Sequence, residues 1–219
     1  MRAAALLAWL ASLPPSERDA AVEEHLGLGT PAPPSSPPGE DLIGYHASGV
    51  APIVRMLMEV PVVADDVLVD LGAGLGKVLA LTRLLTGATA RGIELQPGLV
   101  ERAREAAARH GVDVSFTRGD ARDVDLDGGT VFFLYLPFTG PALTDVLGRL
   151  RAVASRRAIV VGSLGVDLDR EARWLVRRPV DSFWLTIYDS AVPGALPRPP
   201  RERSPALLGP DAARIAFET

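Results

Sequence analysis

The sequence predicts an α/β domain in which helices alternate with the strands of a largely parallel sheet. Three observations predict it. From Val60 onward, short apolar runs alternate with stretches of helical length, the pattern of βαβ units. A glycine-rich turn, Gly72-Ala73-Gly74-Leu75-Gly76, stands where the first run hands over to a helix. Acidic residues stand at or just past the ends of three successive runs, at Asp70, Glu94 and Asp120.

The elements follow in order. Residues 3–11 are apolar after Met1-Arg2, a little like a signal peptide. The run is short and continues into Pro14-Pro15-Ser16-Glu17, so it reads as the first of two small helices. Ser16 is expected to cap the second, which passes through Ala20, Val22 and Leu26. Residues 30–39 are rich in proline and serine and read as an extended linker. Strands are expected over 67–71, 88–94, 112–117, 131–136 and 158–162, because these runs suit burial on both faces. Helices are expected over 77–85, 97–110 and 141–153. The second of these has a proline in its first turn and Gly111 just past its end. Residues 174–178 and 183–188 read as two final strands joined by a hairpin, which makes the last antiparallel to its neighbour. Residues 194–205 are rich in proline and arginine and are expected on the surface. The boundaries are 1–40 for a helical extension and linker, 41–193 for the α/β domain and 194–219 for a tail.

Composition narrows the function. The chain has 219 residues, 47% of them hydrophobic, enough for one full core. The net charge of −4 argues against a nucleic-acid partner. The arginines at 170, 173, 177 and 178, and at 198, 201 and 203, read as a solvated face. The absence of cysteine excludes disulfides, thiolate zinc sites and a cysteine nucleophile, and no metal is expected. It agrees with a reducing, cytoplasmic location. No apolar stretch approaches the length of a membrane span.

The glycine turn admits three readings. A phosphate loop needs G-x-x-x-x-G-K-[ST]. Gly76-Lys77 is present, but Leu71 replaces the first glycine and Val78 the Ser/Thr. A dinucleotide fold needs G-x-G-x-x-G, whereas the spacing here is G-x-G-x-G after Asp70. An acid at that point repels a pyrophosphate and attracts a cationic amino group. S-adenosylmethionine has an α-ammonium and a sulfonium and no phosphate, so the acid favours it over NAD. Glu94 stands where such folds place a carboxylate on ribose hydroxyls, and a carboxylate accepts from both. Asp120 can accept from an adenine amino group, with the Ala121 N–H facing a ring nitrogen. Each acid has a structural alternative: Asp70 capping its own loop, Glu94 as a solvated charge, Asp120 as part of a Gly-Asp-Ala-Arg-Asp turn.

The segments Val67-Leu68-Val69-Asp70-Leu71-Gly72-Ala73-Gly74-Leu75-Gly76, Gly92-Ile93-Glu94-Leu95 and Gly119-Asp120-Ala121 together resemble the class I S-adenosylmethionine-dependent methyltransferases. The resemblance spans residues 41–189. It implies a Rossmann-like seven-stranded, mostly parallel sheet of order 3-2-1-4-5-7-6 with the last strand antiparallel. It implies S-adenosylmethionine as cofactor, held by Asp70, Gly72, Gly74, Gly76, Glu94, Leu95, Asp120 and Ala121. Tyr45 is expected at the methionine end.

The acceptor belongs past the fourth strand. Family members that methylate the amino groups of adenine or glutamine carry Asn/Asp-Pro-Pro-Tyr/Phe there. This chain has Tyr135-Leu136-Pro137-Phe138, which lacks the side-chain carbonyl that accepts from a planar amino group. A protein lysine or a small molecule is therefore favoured, and the Glu-Leu segment and aromatic strand end are locally similar to non-SET protein-lysine methyltransferases. Tyr135 and His46 are the expected catalytic residues. His110 is explained by its helix end, and His25 has no nameable partner. Two alternatives stand beside methyl transfer: a methyltransferase-fold binding module without turnover, and an NAD(P)-dependent oxidoreductase.

Overall fold

The computed structural model describes residues 2–29, 46–135 and 139–218. Helices α1 (Ala3–Ser12), α2 (Pro15–His25) and α3 (Val50–Glu59) precede the first strand, β1 (Val67–Leu71). Then α4 (Lys77–Thr86), β2 (Thr89–Glu94), α5 (Pro97–Arg109), β3 (Ser115–Arg118), β4 (Val131–Tyr135), α6 (Gly140–Ala154) and β5 (Val160–Leu164) alternate along the chain. Strands β6 (Leu175–Arg177) and β7 (Leu185–Ser190) follow, and after a 3₁₀ turn over Pro205–Leu208 comes α7 (Pro210–Phe217). The strands form one seven-stranded sheet in the order β3-β2-β1-β4-β5-β7-β6. β1 to β5 pair in parallel, while β7 runs antiparallel to both β5 and β6. This is the expected order.

The sheet is buried on both faces, as its apolar runs require. One face packs against helices from both chain ends: Leu6, Leu10, Ile53, Leu57, Leu79, Val100 and Ile215 share a core with Leu68, Val131 and Phe133. The other packs against α6 and the β5–β6 connection, where Val146, Leu150 and Leu168 meet Val69, Phe132 and Val161.

The structure corrects three local expectations. Ser16 does not cap α2: the helix starts a residue earlier, at Pro15 after Pro14, and has no side-chain cap. Proline at the first position supplies the helical φ itself. β3 starts three residues later than expected, because Val112 and Val114 lie in a turn closed by Val112 N–H to Ala107 and Val114 N–H to Val112. Residues 194–205 lie at the surface, as expected, with Leu196 accepting from the Ala158 N–H, and beyond them α7 buries Ala212 and Ile215 against α1 and α3. The arginines of these regions are a solvated face only in part: Arg170, Arg173 and Arg203 are exposed, whereas others are paired. Arg198 donates to Asp66 at 2.9 Å, Arg178 to Asp189 at 2.7 Å, and Arg177 to Asp167 and Asp169 at 3.1 and 3.0 Å. No helix among the described residues is long and apolar enough to cross a membrane.

Candidate functional site

The glycine turn is built onto β2. Gly72 and Ala73 donate their N–H groups to the Ile93 carbonyl at 2.9 and 3.0 Å, and Gly74 donates to Glu94 Oε2 at 2.9 Å. Two glycines are required by the space. At Gly92 a Cβ would stand 2.4 Å from the Ala73 Cβ, so the loop lies directly on the strand. Gly76 has φ +83°, and a Cβ there would stand 2.5 Å from the Phe116 ring. α4 then begins at Lys77, with its free N–H groups at the carboxyl ends of the strands. The Lys77 ammonium does not reach toward that end as a phosphate-loop lysine would. It is buried against Asp19 and Glu23 of α2.

Strand alternation turns Asp70, Glu94 and Tyr135 to one face. Their neighbours two residues back, Leu68 and Phe133, lie in the core that contains α3 and α4, as does Ala90 two residues before Gly92. Asp70 pairs in register with Gly92 and Phe133, so its carboxyl group sits mid-sheet at the strand ends. It is 3% exposed, and no donor among the described residues reaches it. Burial first, and then the neighbouring Glu94, push its pKa up to about 8. The loop does not use Asp70 as a cap, since its N–H groups go to Ile93 and Glu94.

Glu94 is buried rather than solvated. It accepts from Gly74 through one oxygen and from the Gln96 N–H through the other, at 2.9 and 2.8 Å. Each oxygen keeps a second lone pair for a hydroxyl donor. Leu95 beside it is 47% exposed, an apolar surface at the strand end. Asp120 closes the expected turn: its Oδ1 accepts from the Arg122 N–H at 2.9 Å, and the Arg122 guanidinium grips both oxygens. That pairing holds its carboxyl group below the usual carboxylate range. Ala121 is buried beside it.

His46 and Tyr135, far apart in the sequence, come together. Their rings stand edge to face, centroids 6.3 Å apart. Tyr45 and the segment Leu136-Pro137-Phe138 lie outside the described residues. His25, without a nameable partner in the sequence, packs beside Trp9 at 5.3 Å and His110 at 6.4 Å, away from the site.

Sequence reasoning missed an aromatic pair on the same edge. Tyr135, Leu164 and Leu185 are register partners across β4, β5 and β7. Trp184 precedes Leu185 and accepts from the Gly165 N–H at 2.8 Å. Phe183 and Trp184 meet edge to face at 4.8 Å and are 88% and 65% exposed. Both fell inside the expected strand 183–188, and the sequence carries no signal that they stand exposed before β7.

Comparison with known proteins agrees with this geometry. A methyltransferase-domain family model matches residues 68–156. An RNA methyltransferase from Salinibacter ruber, solved with S-adenosyl-L-homocysteine, is 31% identical, with a TM-score of 0.56 over 72% of this chain and 100% of that one. A Pyrococcus horikoshii protein of 15% identity shares the fold, with a TM-score of 0.52 over 62% of this chain and 85% of its own. An uncharacterized protein of Methanocaldococcus jannaschii is 33% identical over 88 residues, and the chain spans 40% of the length of that relative. With the sheet order, the glycine turn and a full-length relative of this identity in agreement, the chain belongs to the class I S-adenosylmethionine-dependent methyltransferases.

Proposed function

We propose that the chain moves a methyl group from S-adenosylmethionine to an amine on a protein lysine or a small molecule. The observation that carries the cofactor half is Asp70, a buried carboxyl group with no donor of its own at the carboxyl end of β1. The residues present fit the cofactor. Asp70 suits its α-ammonium, the free lone pairs of Glu94 its ribose hydroxyls, and Leu95 and Ala121 its adenine. Asp120 reaches the adenine amino group only through lone pairs that Arg122 leaves free. The family assignment favours this cofactor over a nicotinamide dinucleotide.

The bound cofactor supplies an electrophilic methyl group on a sulfonium. The chain's own work is alignment and exclusion of water. An alkylamine arrives protonated at neutral pH and must lose that proton before it attacks. His46 stands beside Tyr135 and is exposed, so it can take the proton and pass it to solvent. Tyr135 walls the acceptor's approach. The sequence Tyr135-Leu136-Pro137-Phe138 lacks the carbonyl that an adenine or glutamine amide needs.

A second reading has one observation in its favour. The Salinibacter ruber relative is named an RNA methyltransferase, which supports RNA as the acceptor. One experiment separates the readings. Labelled S-adenosylmethionine is incubated with the protein and a cell extract, and the product is divided between protease, ribonuclease and size filtration. Protease-sensitive or filterable label is expected. Ribonuclease-sensitive label overturns the amine reading in favour of RNA, and no label with intact cofactor binding leaves a binding module. Asp70→Ala and Glu94→Ala are each expected to weaken S-adenosylhomocysteine binding by about 1–3 kcal/mol in calorimetry.

A further inference from the structure

We propose that the N-terminal helices belong to the methyl-transfer machinery, with Asp19 as the positioning residue that fixes the acceptor-side segment against the cofactor loop. The inference rests on the reading that residues 72–76 hold the cofactor.

One oxygen joins three elements. Asp19 Oδ1 accepts from the Lys77 ammonium at 3.0 Å and from the Val50 N–H at 2.8 Å. Lys77 is the first residue of α4, directly after Gly76, and its side chain is 5% exposed. Val50 is the first residue of α3, whose own N-cap residue, Gly49, makes no side-chain bond. An orphan N–H at that helix start is thus satisfied by a carboxylate 31 residues earlier in the chain. Glu23, one turn after Asp19 on α2, completes the cage around the ammonium at 2.7 Å.

The two tethered points flank the reaction. Lys77 continues the glycine turn. Val50 follows the short stretch that places His46 against Tyr135. An ion pair to a half-exposed aspartate contributes little stability by itself. Here the lysine is buried and the helix start has no cap of its own, so removing Asp19 strands the Val50 N–H and leaves the buried ammonium with Glu23 alone. In-line transfer tolerates little displacement: about an ångström of misplacement can cost about a hundredfold in rate. Asp19 therefore sets the distance between the side that holds the donor and the side that holds the acceptor.

The test uses the full chain and S-adenosylhomocysteine. Calorimetry, amide hydrogen exchange and labelled-methyl transfer to extract at saturating cofactor are compared for wild type, Asp19→Ala, Asp19→Asn and Glu218→Ala. Glu218→Ala is the control, because it loosens the N-terminal helices elsewhere by breaking the Arg18 ion pair. Asp19→Ala is expected to slow transfer at least tenfold and to speed exchange in both 46–50 and 72–78, with 185–190 unchanged. Asp19→Asn keeps an acceptor for Val50 but loses the charge facing Lys77, so exchange rises in 72–78 alone. Glu218→Ala stays within twofold of wild type in transfer. The proposal is overturned if Asp19→Ala transfers within twofold of wild type, or if Glu218→Ala is as slow. Should Asp19→Ala fail to fold, the exchange pattern and transfer rate of Asp19→Asn decide. Wild type that does not bind S-adenosylhomocysteine overturns the cofactor reading, whereas equal variants overturn this inference alone.

Discussion

Asp70 changes charge when its ligand arrives. In the free chain its pKa is pushed up from 3.8 to about 8 by burial and by Glu94, so it is protonated at neutral pH. A cationic α-ammonium needs the ionised form, and binding therefore releases a proton. The folded chain holds this proton where the unfolded chain has lost it. The resulting stability is full below the unfolded pKa and is lost as pH rises through about 8. Over the same window S-adenosylhomocysteine affinity is expected to rise, with heats that depend on the ionisation enthalpy of the buffer. Asp70→Asn should flatten both, and a flat wild-type profile in calorimetry contradicts the assignment. This residue and Glu94 were legible because they stand within short local motifs. The Asp120–Arg122 turn was legible for the same reason, with its partners two residues apart. The partners of Lys77 were not, since they lie 58 and 54 residues away and no periodicity links such positions.

Among the elements, the central strands were the most legible. β1 matches its expected span, β2 starts one residue late, and β4 fills its expected span as far as the described residues run, because a short apolar run bounded by turn residues fits a strand buried on both faces and little else. The edge hairpin was less so. Its strands were expected with a four-residue break, whereas residues 178–184 separate β6 from β7. The extra length carries Phe183 and Trp184 out to the acceptor edge. Strands two apart in a sheet are separated by roughly 10 Å, so an acceptor lying over Tyr135 that extends that far meets this pair. Phe183→Ala with Trp184→Ala is expected to raise the acceptor KM about tenfold while S-adenosylhomocysteine affinity stays within twofold. Equal KM values in steady-state assays remove the pair from the acceptor side. α7 was not read from the sequence at all, because eight residues after a proline-rich stretch offer too short a pattern.

At the scale of the molecule, the two ends of the sheet are treated differently. The carboxyl ends carry the site, and the amino end of β1 is stapled. Asp66 there is fully buried and accepts from the Val63 N–H, the Thr130 hydroxyl and Arg198. Arg198→Met leaves that carboxylate without its closest cation and is expected to cost about 3 kcal/mol in denaturant unfolding. A change under about 0.5 kcal/mol would place Arg198 among ordinary surface arginines. The helical ends are joined as well: Arg18 donates to Glu218, and Arg55 lies 3.8 Å over the Phe217 ring. The contact between Arg18 and Glu218 spans 200 residues of sequence. It gives synthesis an order. The glycine turn and its three acids leave the ribosome early, but the helices that brace α4 and α3 find their last partners only when α7 has been made. A nascent chain thus carries the glycine turn and its acids well before it carries the helix that packs on α1 and α3.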